Sequence, residues 1–312
     1  MTESTAFRIG ADENGLGAQL GPLVVTAVLA RVSTNGQRAL TRRLPRGIAK
    51  DLDDSKRLVA HNNIALGEAW ARALVAPKAG SPREVLERLL LEDAAQLQRP
   101  CPKHVAPQCW ATMGEAFEAP LELQARVKKH VISLQARGIE LCGVRSSVTC
   151  TRLLNEAKAD GTSRFSVDLH AMERLVLALR EQAGAEVHAV CGKVGGIGEY
   201  SRYFGPLSHR LHAIVCEERP HSAYRFPGLG ELHFIQDADS KDPLVMLASL
   251  VGKWVREVLM ARIVRFHAAG DEAVHASGYN DPVSKRFVQS TRLSRQTRRV
   301  PDTCFVRVGA DG

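Results

Sequence analysis

Apolar residues run almost unbroken over residues 23–29, and so short and Val-rich a stretch predicts a strand buried on both faces. A second strand is predicted just before it, over residues 7–11, and it delivers two adjacent acids, Asp12 and Glu13. Gly15, Gly17, Gly21 and Pro22 punctuate the turn between the two. The polar, basic stretch 33–50, with Arg38, Arg42, Arg43 and Arg46, reads as a strand with a mobile loop. Helical spacing takes over at about 59–74. Ser81-Pro82-Arg83-Glu84 is a capping-box start with proline in the first turn, for a helix reaching about Gln98. Pro100, Pro102, Pro107 and Pro120 hold the next segment as loop, and residues 121–137 form an amphipathic helix stopped by Gly138.

The second half alternates more regularly. Strands are predicted over residues 139–144, 186–191, 211–216 and 232–236, with a loop through Ser222 and Tyr224. A helix over 168–182 keeps Met172, Leu175, Val176 and Leu179 on one stripe, with Asp168 as its default cap. Another opens with Asp242 as N-cap and Pro243 in the first turn. Its buried stripe is Leu244, Leu247, Val251, Trp254 and Val258. Alternating strands and helices place the chain in the α/β class.

Composition adds a bias in partners. Hydrophobic content of 45% and charged content of 24% are those of an ordinary globular protein, while 5% aromatics require an aliphatic core. A net charge of +8 and a pI near 9.3 favour polyanionic partners. Neither a signal-peptide pattern nor a membrane-length apolar run is present, so a cytoplasmic protein with no membrane partner is expected. Seven cysteines without framework spacing suggest reduced thiols. Cys101, His104 and Cys109 lack an evident fourth ligand, so zinc is not expected there.

The chemistry concentrates at few places. Acids at a strand end, framed by glycines that let a backbone approach, suit a divalent cation or a phosphodiester; a solvated acidic turn explains the same residues. Successive strand residues face opposite ways, so the strand is expected to bulge or end at Asp12 and Glu13. Asp54 or Ser55 can cap the following helix, and Lys56 near its N-terminus can meet a phosphate. Lys128, Lys129 and His130 read as a solvated basic face. Over residues 285–299 there are six basic residues and no acid, and Arg292, Arg295 and Arg299 recur at helical spacing. A phosphate-contacting face and a solvated helix are the two readings, with the missing acids and the net charge favouring the first.

Asp12-Glu13-Asn14-Gly15-Leu16-Gly17, followed by Gly21-Pro22 and a β-branched strand, resembles the opening motif of the type 2 ribonucleases H, the ribonuclease HII and HIII family. Residues 52–58 resemble that family's Asp-Ser-Lys-x-Leu element. Asp239, Ser240, Ala248, Ser249, Lys253, Arg256 and Glu257 match its second signature, with Glu257 where aspartate is usual. Gly278-Tyr279 resembles a Gly-Tyr element ahead of the C-terminal helix. The resemblance implies a ribonuclease H-like α/β fold, a mixed β-sheet flanked by helices with a helical C-terminal part. A single domain over 1–312 is expected, with an insertion at 75–120 and a helical region at 243–300.

The implied reaction is metal-dependent hydrolysis of RNA in an RNA–DNA hybrid or ribonucleotide-containing duplex, with a site for two Mg²⁺ or Mn²⁺ ions. Asp12, Glu13 and Asp239 are the expected catalytic metal ligands. Gly15, Gly17, Lys56, Lys253, Tyr279, Arg292, Arg295 and Arg299 are the expected nucleic-acid contacts, Tyr279 being the candidate ribose-reading tyrosine. A monomer is expected. Two departures from the family stand out. Leu16 occupies a position that is usually basic, and the third acid, which ends the strand after the long helix, falls on Gly192. Glu217 and Asp237 are the candidate substitute acids, with Glu218 beside the first and Asp168 further off. A non-catalytic binder of hybrid or duplex is the alternative function, and a fold relative with a protein partner a third.

Overall fold

Strands β1 (Thr5–Asn14) and β2 (Leu23–Ser33) pair antiparallel along their whole length, and β3 (Ile139–Thr149) lies antiparallel on the far side of β2. On its other edge β1 takes β4 (Val187–Gly192) in parallel, and β4 in turn takes β7 (Gly230–Ile235) in parallel. A hairpin of β5 (Ala213–Glu217) and β6 (His221–Phe226) completes the sheet, whose order is β3-β2-β1-β4-β7-β6-β5. The chain is described in a computed structural model over residues 5–42, 44–58, 63–110, 115–194, 196–268 and 275–309.

Helices cover both faces, in keeping with the expected ribonuclease H-like class. In chain order they are α1 (Thr34–Leu40), α2 (Arg46–Ala49), α3 (Ser55–Leu58), α4 (Ala65–Val75), α5 (Pro82–Leu89) and α6 (Ala94–Gln98). There follow α7 (Leu121–Ala136), α8 (Thr151–Ala159), α9 (Arg164–Ala183), α10 (Pro243–Ala268), α11 (Pro282–Ser290) and α12 (Arg292–Thr297). Period-two alternation sends Val24, Val28, Ala30 and Val32 towards α4, α7 and α10, while Val25, Ala27 and Leu29 meet Ile9, Ala11 and the stripe of α9. Both faces of β2 are therefore covered, which explains its continuous apolar run. Helix α10 crosses β1 and β2 so closely that a Cβ on Gly10 would lie 2.4 Å from the Leu244 carbonyl carbon, and one on Gly252 2.7 Å from Asn14 Nδ2. Close approach, not turn geometry, requires these two glycines. No helix among the described residues is long and apolar enough to cross a membrane.

Several boundaries differ from the sequence expectation. β1 neither bulges nor ends at its acids, because its register with β2 continues regularly through Asp12↔Thr26, Glu13↔Val25 and Asn14↔Val24. Residues 34–40 and 46–49 are helical, not a strand: Ser33 caps α1 by accepting the Gly36 N–H at 3.2 Å. Of the helix expected at 59–74, α4 forms from Ala65, residues 59–62 lie outside the described residues, and the separate short helix α3 precedes them. The helix expected to reach Gln98 is split into α5 and α6, where Leu90 leaves to bridge Ser146 and Asp93 starts a new capping box with Gln96. Ser222 and Tyr224 lie in β6, not a loop. Ser163, not Asp168, caps α9, accepting the Ser166 N–H at 3.1 Å.

Candidate active site

Asp12 and Glu13 occupy consecutive positions near the end of β1, beside the end of its parallel neighbour β4. A Cβ on Gly192 would sit 2.7 Å from Asp12 Oδ1 and 3.5 Å from Glu13 Oε2, so the two carboxylates flank one point at the strand ends. That point is where the resemblance places the missing third acid. Asp12 is buried and hydrogen-bonds Ser249 on α10. Burial, followed by the Glu13 charge, pushes Asp12 well above the usual carboxylate range, and Asp239 adds to the rise. Glu13 is pushed up to about 8, first by burial and then by Asp168, with Asp239 contributing and Lys56 opposing. Acids 227 positions apart in the chain thus act on one another across the fold.

Asp239 reaches the group from a single 3-10 turn, Ala238–Ser240, ahead of α10. Asp237 precedes it in the left-handed region at φ 56°, a conformation an aspartate tolerates. Lys56 Nζ donates to Asp239 Oδ2 at 3.0 Å, and Ser55 Oγ lies 2.9 Å from Ser249 Oγ. The Asp-Ser-Lys element is therefore bound to the second signature at two adjacent residues. Lys56 is largely exposed and can exchange its carboxylate for a phosphate.

The glycine turn is held from behind. Arg307, buried to 2% exposure, donates from Nε and Nη2 to the Gly21 carbonyl at 2.9 and 2.7 Å, and from Nη1 to Gly15 and Leu16 at 2.5 and 3.3 Å. Gly278 accepts the N–H groups of Gln19 and Leu20, both at 2.8 Å. Arg256 donates to the Leu20 and Ser277 carbonyls at 3.4 and 3.0 Å, and its guanidinium lies 4.5 Å from the centre of the Tyr279 ring. The Gly-Tyr element thus sits against the glycine turn, and the half-exposed Tyr279 ring stands beside it. Gly17 faces open space, whereas Gly15 is packed on Arg256, so only the first is accessible to a ligand.

Other sequence candidates separate from this group. Glu217 lies on β5, the outer edge of the sheet, where it accepts from Ser201 Oγ at 2.9 Å and from the Tyr224 hydroxyl. Two strands, β7 and β6, part it from Gly192 in the sheet order, so it does not replace the third acid. Asp237 is exposed and its backbone shapes the turn, its carbonyl accepting from Ser240. The basic face is also corrected. Helix α12 ends at Thr297, leaving Arg299 outside it with φ 55°, while Arg295 turns inward to Asp302, the Val288 carbonyl and the Phe305 ring. Arg292 remains exposed. Lys253 is half-buried on α10, where burial lowers its pKa and Glu257 opposes the change.

Two residues that sequence reasoning undervalued complete the picture. Asp168, taken as a cap, is wholly buried inside α9 and neither carboxylate oxygen has a hydrogen-bond partner. Its helical spacing from Met172, Leu175 and Leu179 was the available signal, an acid on an apolar stripe. Arg307 gave no signal, because its partners are backbone carbonyls far away in the chain.

No protein-family model matches the chain, and no curated protein matches it. Among solved structures, it is similar to ribonuclease HII of Archaeoglobus fulgidus, solved with PCNA, at 17% identity and TM-score 0.42 over 98% of this chain and 96% of that one. It is similar to ribonuclease H2 of Pyrococcus horikoshii OT3 at 15% identity and TM-score 0.42, over 96% and 95% of the two chains. A Bst-RNase HIII in complex with Mn²⁺ matches at 14% identity and TM-score 0.39, over 94% and 72%. At these values the likeness decides no chemistry, and the site stands on its own atoms.

Proposed function

We propose that this chain is a metal-dependent nuclease hydrolysing the RNA strand of RNA–DNA hybrids. The observation that carries the reading is the convergence of the Asp12 and Glu13 carboxylates on one point beside Gly192, with Asp239 within electrostatic reach of both from the turn before α10, where Lys56 holds it. Hard divalent cations take oxygen ligands, and several converging carboxylates are needed to balance their charge. Asp12, Glu13 and Asp239 would hold such ions, Mg²⁺ or Mn²⁺, which when bound activate water and stabilise the leaving oxygen. Ser249 orients Asp12, and Lys56 steers a phosphate towards Asp239. Gly17 leaves room for a sugar-phosphate backbone, and Tyr279 offers its ring beside the turn, where a 2′-hydroxyl would be read.

The test is cleavage of a labelled RNA–DNA hybrid by purified protein in Mg²⁺ or Mn²⁺, beside Asp12→Asn and Asp239→Asn variants. Cleavage in the wild type that falls at least about a hundredfold in each variant is the expected result. A second reading, a binder that does not cleave, is favoured by Gly192, since the strand end carries no carboxylate there. Salt-sensitive hybrid binding with no cleavage in either metal would establish that reading instead.

A further inference from the structure

The acid group contains a fourth member that the nuclease reading did not need. Asp168 has 0% exposure, and both of its carboxylate oxygens lack a hydrogen-bond partner. It lies within electrostatic reach of Asp12 and Glu13. Elsewhere on the same helix, buried Glu173 shows how this fold treats an acid it keeps for structure: its oxygens accept the N–H groups of Gly205 and Leu207, at 3.2 and 2.8 Å. Asp168 has no such arrangement. A buried carboxylate without donors, facing two more acids, is among the most costly placements a fold can contain. It persists where a cation supplies the missing counter-charge.

Position supports the same conclusion. Asp168 shares the inward stripe of α9 with Met172, Leu175 and Leu179, packed on the face of the sheet that carries Cys191. Gly192 leaves the strand end beside Asp12 and Glu13 without a side chain. Cys191, the adjacent side chain, is a poor substitute: burial holds its thiol protonated, and a soft sulfur does not suit Mg²⁺ or Mn²⁺. We infer that Asp168 is a ligand of the divalent metal site, supplying from helix α9 the carboxylate that β4 lacks at Gly192. This rests on the nuclease-site reading of Asp12 and Glu13. It extends that reading by moving the third acid from a strand to a helix.

Mn²⁺ binding, followed by the loss of the free-ion paramagnetic resonance signal, tests this without relying on turnover. Asp168→Asn should raise the dissociation constant at least about tenfold. In metal-free buffer the same variant should melt at or above the wild-type temperature, because the carboxyl group it replaces is buried with no hydrogen-bond partner to lose. A purely structural Asp168 would give the opposite pair, unchanged Mn²⁺ affinity and a lower melting temperature, and that result overturns the inference. Gly192→Asp added to Asp168→Asn should restore Mn²⁺ binding by returning the acid to the strand; failure of this rescue in a folded double variant also counts against it. Asp12→Asn separates the two levels. If it abolishes Mn²⁺ binding while Asp168→Asn does not, only the role of Asp168 falls; if neither changes binding, the nuclease-site reading falls with it.

Discussion

Removing the Arg307 side chain tests whether the glycine turn owes its shape to a clamp from the C-terminal segment. Arginine 307 makes four hydrogen bonds to the carbonyls of Gly15, Leu16 and Gly21, all from a buried guanidinium. Hydrogen bonds from a charged donor contribute roughly 1.5–3 kcal/mol each, and they are not additive around one group. Residual contacts reduce the loss: Gly15 keeps the Ala18 N–H at 3.3 Å, and Gly21 keeps the Thr151 hydroxyl at 3.3 Å. Burying the guanidinium near Arg256 and Arg164 also works against its charge. Together these place Arg307→Ala at about 3 kcal/mol of lost stability, read as the shift in a urea unfolding midpoint. Arg307→Lys should recover little, since an ammonium cannot span three carbonyls with a planar fork. Hybrid binding, followed by fluorescence anisotropy, should weaken in both. An Arg307→Ala protein within about 1 kcal/mol of wild type, with unchanged binding, would refute the clamp.

The pH response of the metal-free protein follows from Glu13. Its folded pKa is raised from 4.5 to about 8, so the folded state keeps a proton that the unfolded chain releases, and stability falls as pH rises across that window. Thermal melts in chelator should show this slope, and Glu13→Gln should flatten it. Lys56 is mostly exposed, so Lys56→Gln should cost under about 1 kcal/mol of stability yet reduce the salt dependence of hybrid binding by about one ion. Gly252→Ala, with its Cβ forced to within 2.8 Å of Thr26 Oγ1, should destabilise by about 1–3 kcal/mol in urea titrations.

Sequence pattern carried the fold further than the site. The run over residues 23–29 marked β2 correctly because both of its faces are buried, and the apolar stripes of α9 and α10 announced the helices that cover the sheet. The expected bulge at Asp12 and Glu13 was wrong for an instructive reason. Consecutive acids on opposite faces can still flank one point when they lie near a strand end and the neighbouring strand offers only Gly192. Arginine spacing over residues 292–299 suggested one exposed face, but Phe305 and Asp302 draw Arg295 inward, and neither contact is visible in local spacing. Glu217 looked near the site because it follows a strand, yet strand order, which the sequence does not state, puts it at the far edge.

The pairing of residue 307 with the turn at 15–21 also has a bearing on synthesis. During translation the first hairpin emerges early, but the guanidinium that fixes its turn lies 286 residues after Gly21 and 292 after Gly15, and follows much later. Closing so long a ring costs little more entropy than closing a short one, so the finished protein is hardly penalised. A nascent chain, by contrast, carries its acids beside an unbraced turn until residue 307 has been made, and the turn takes its braced shape as a late step.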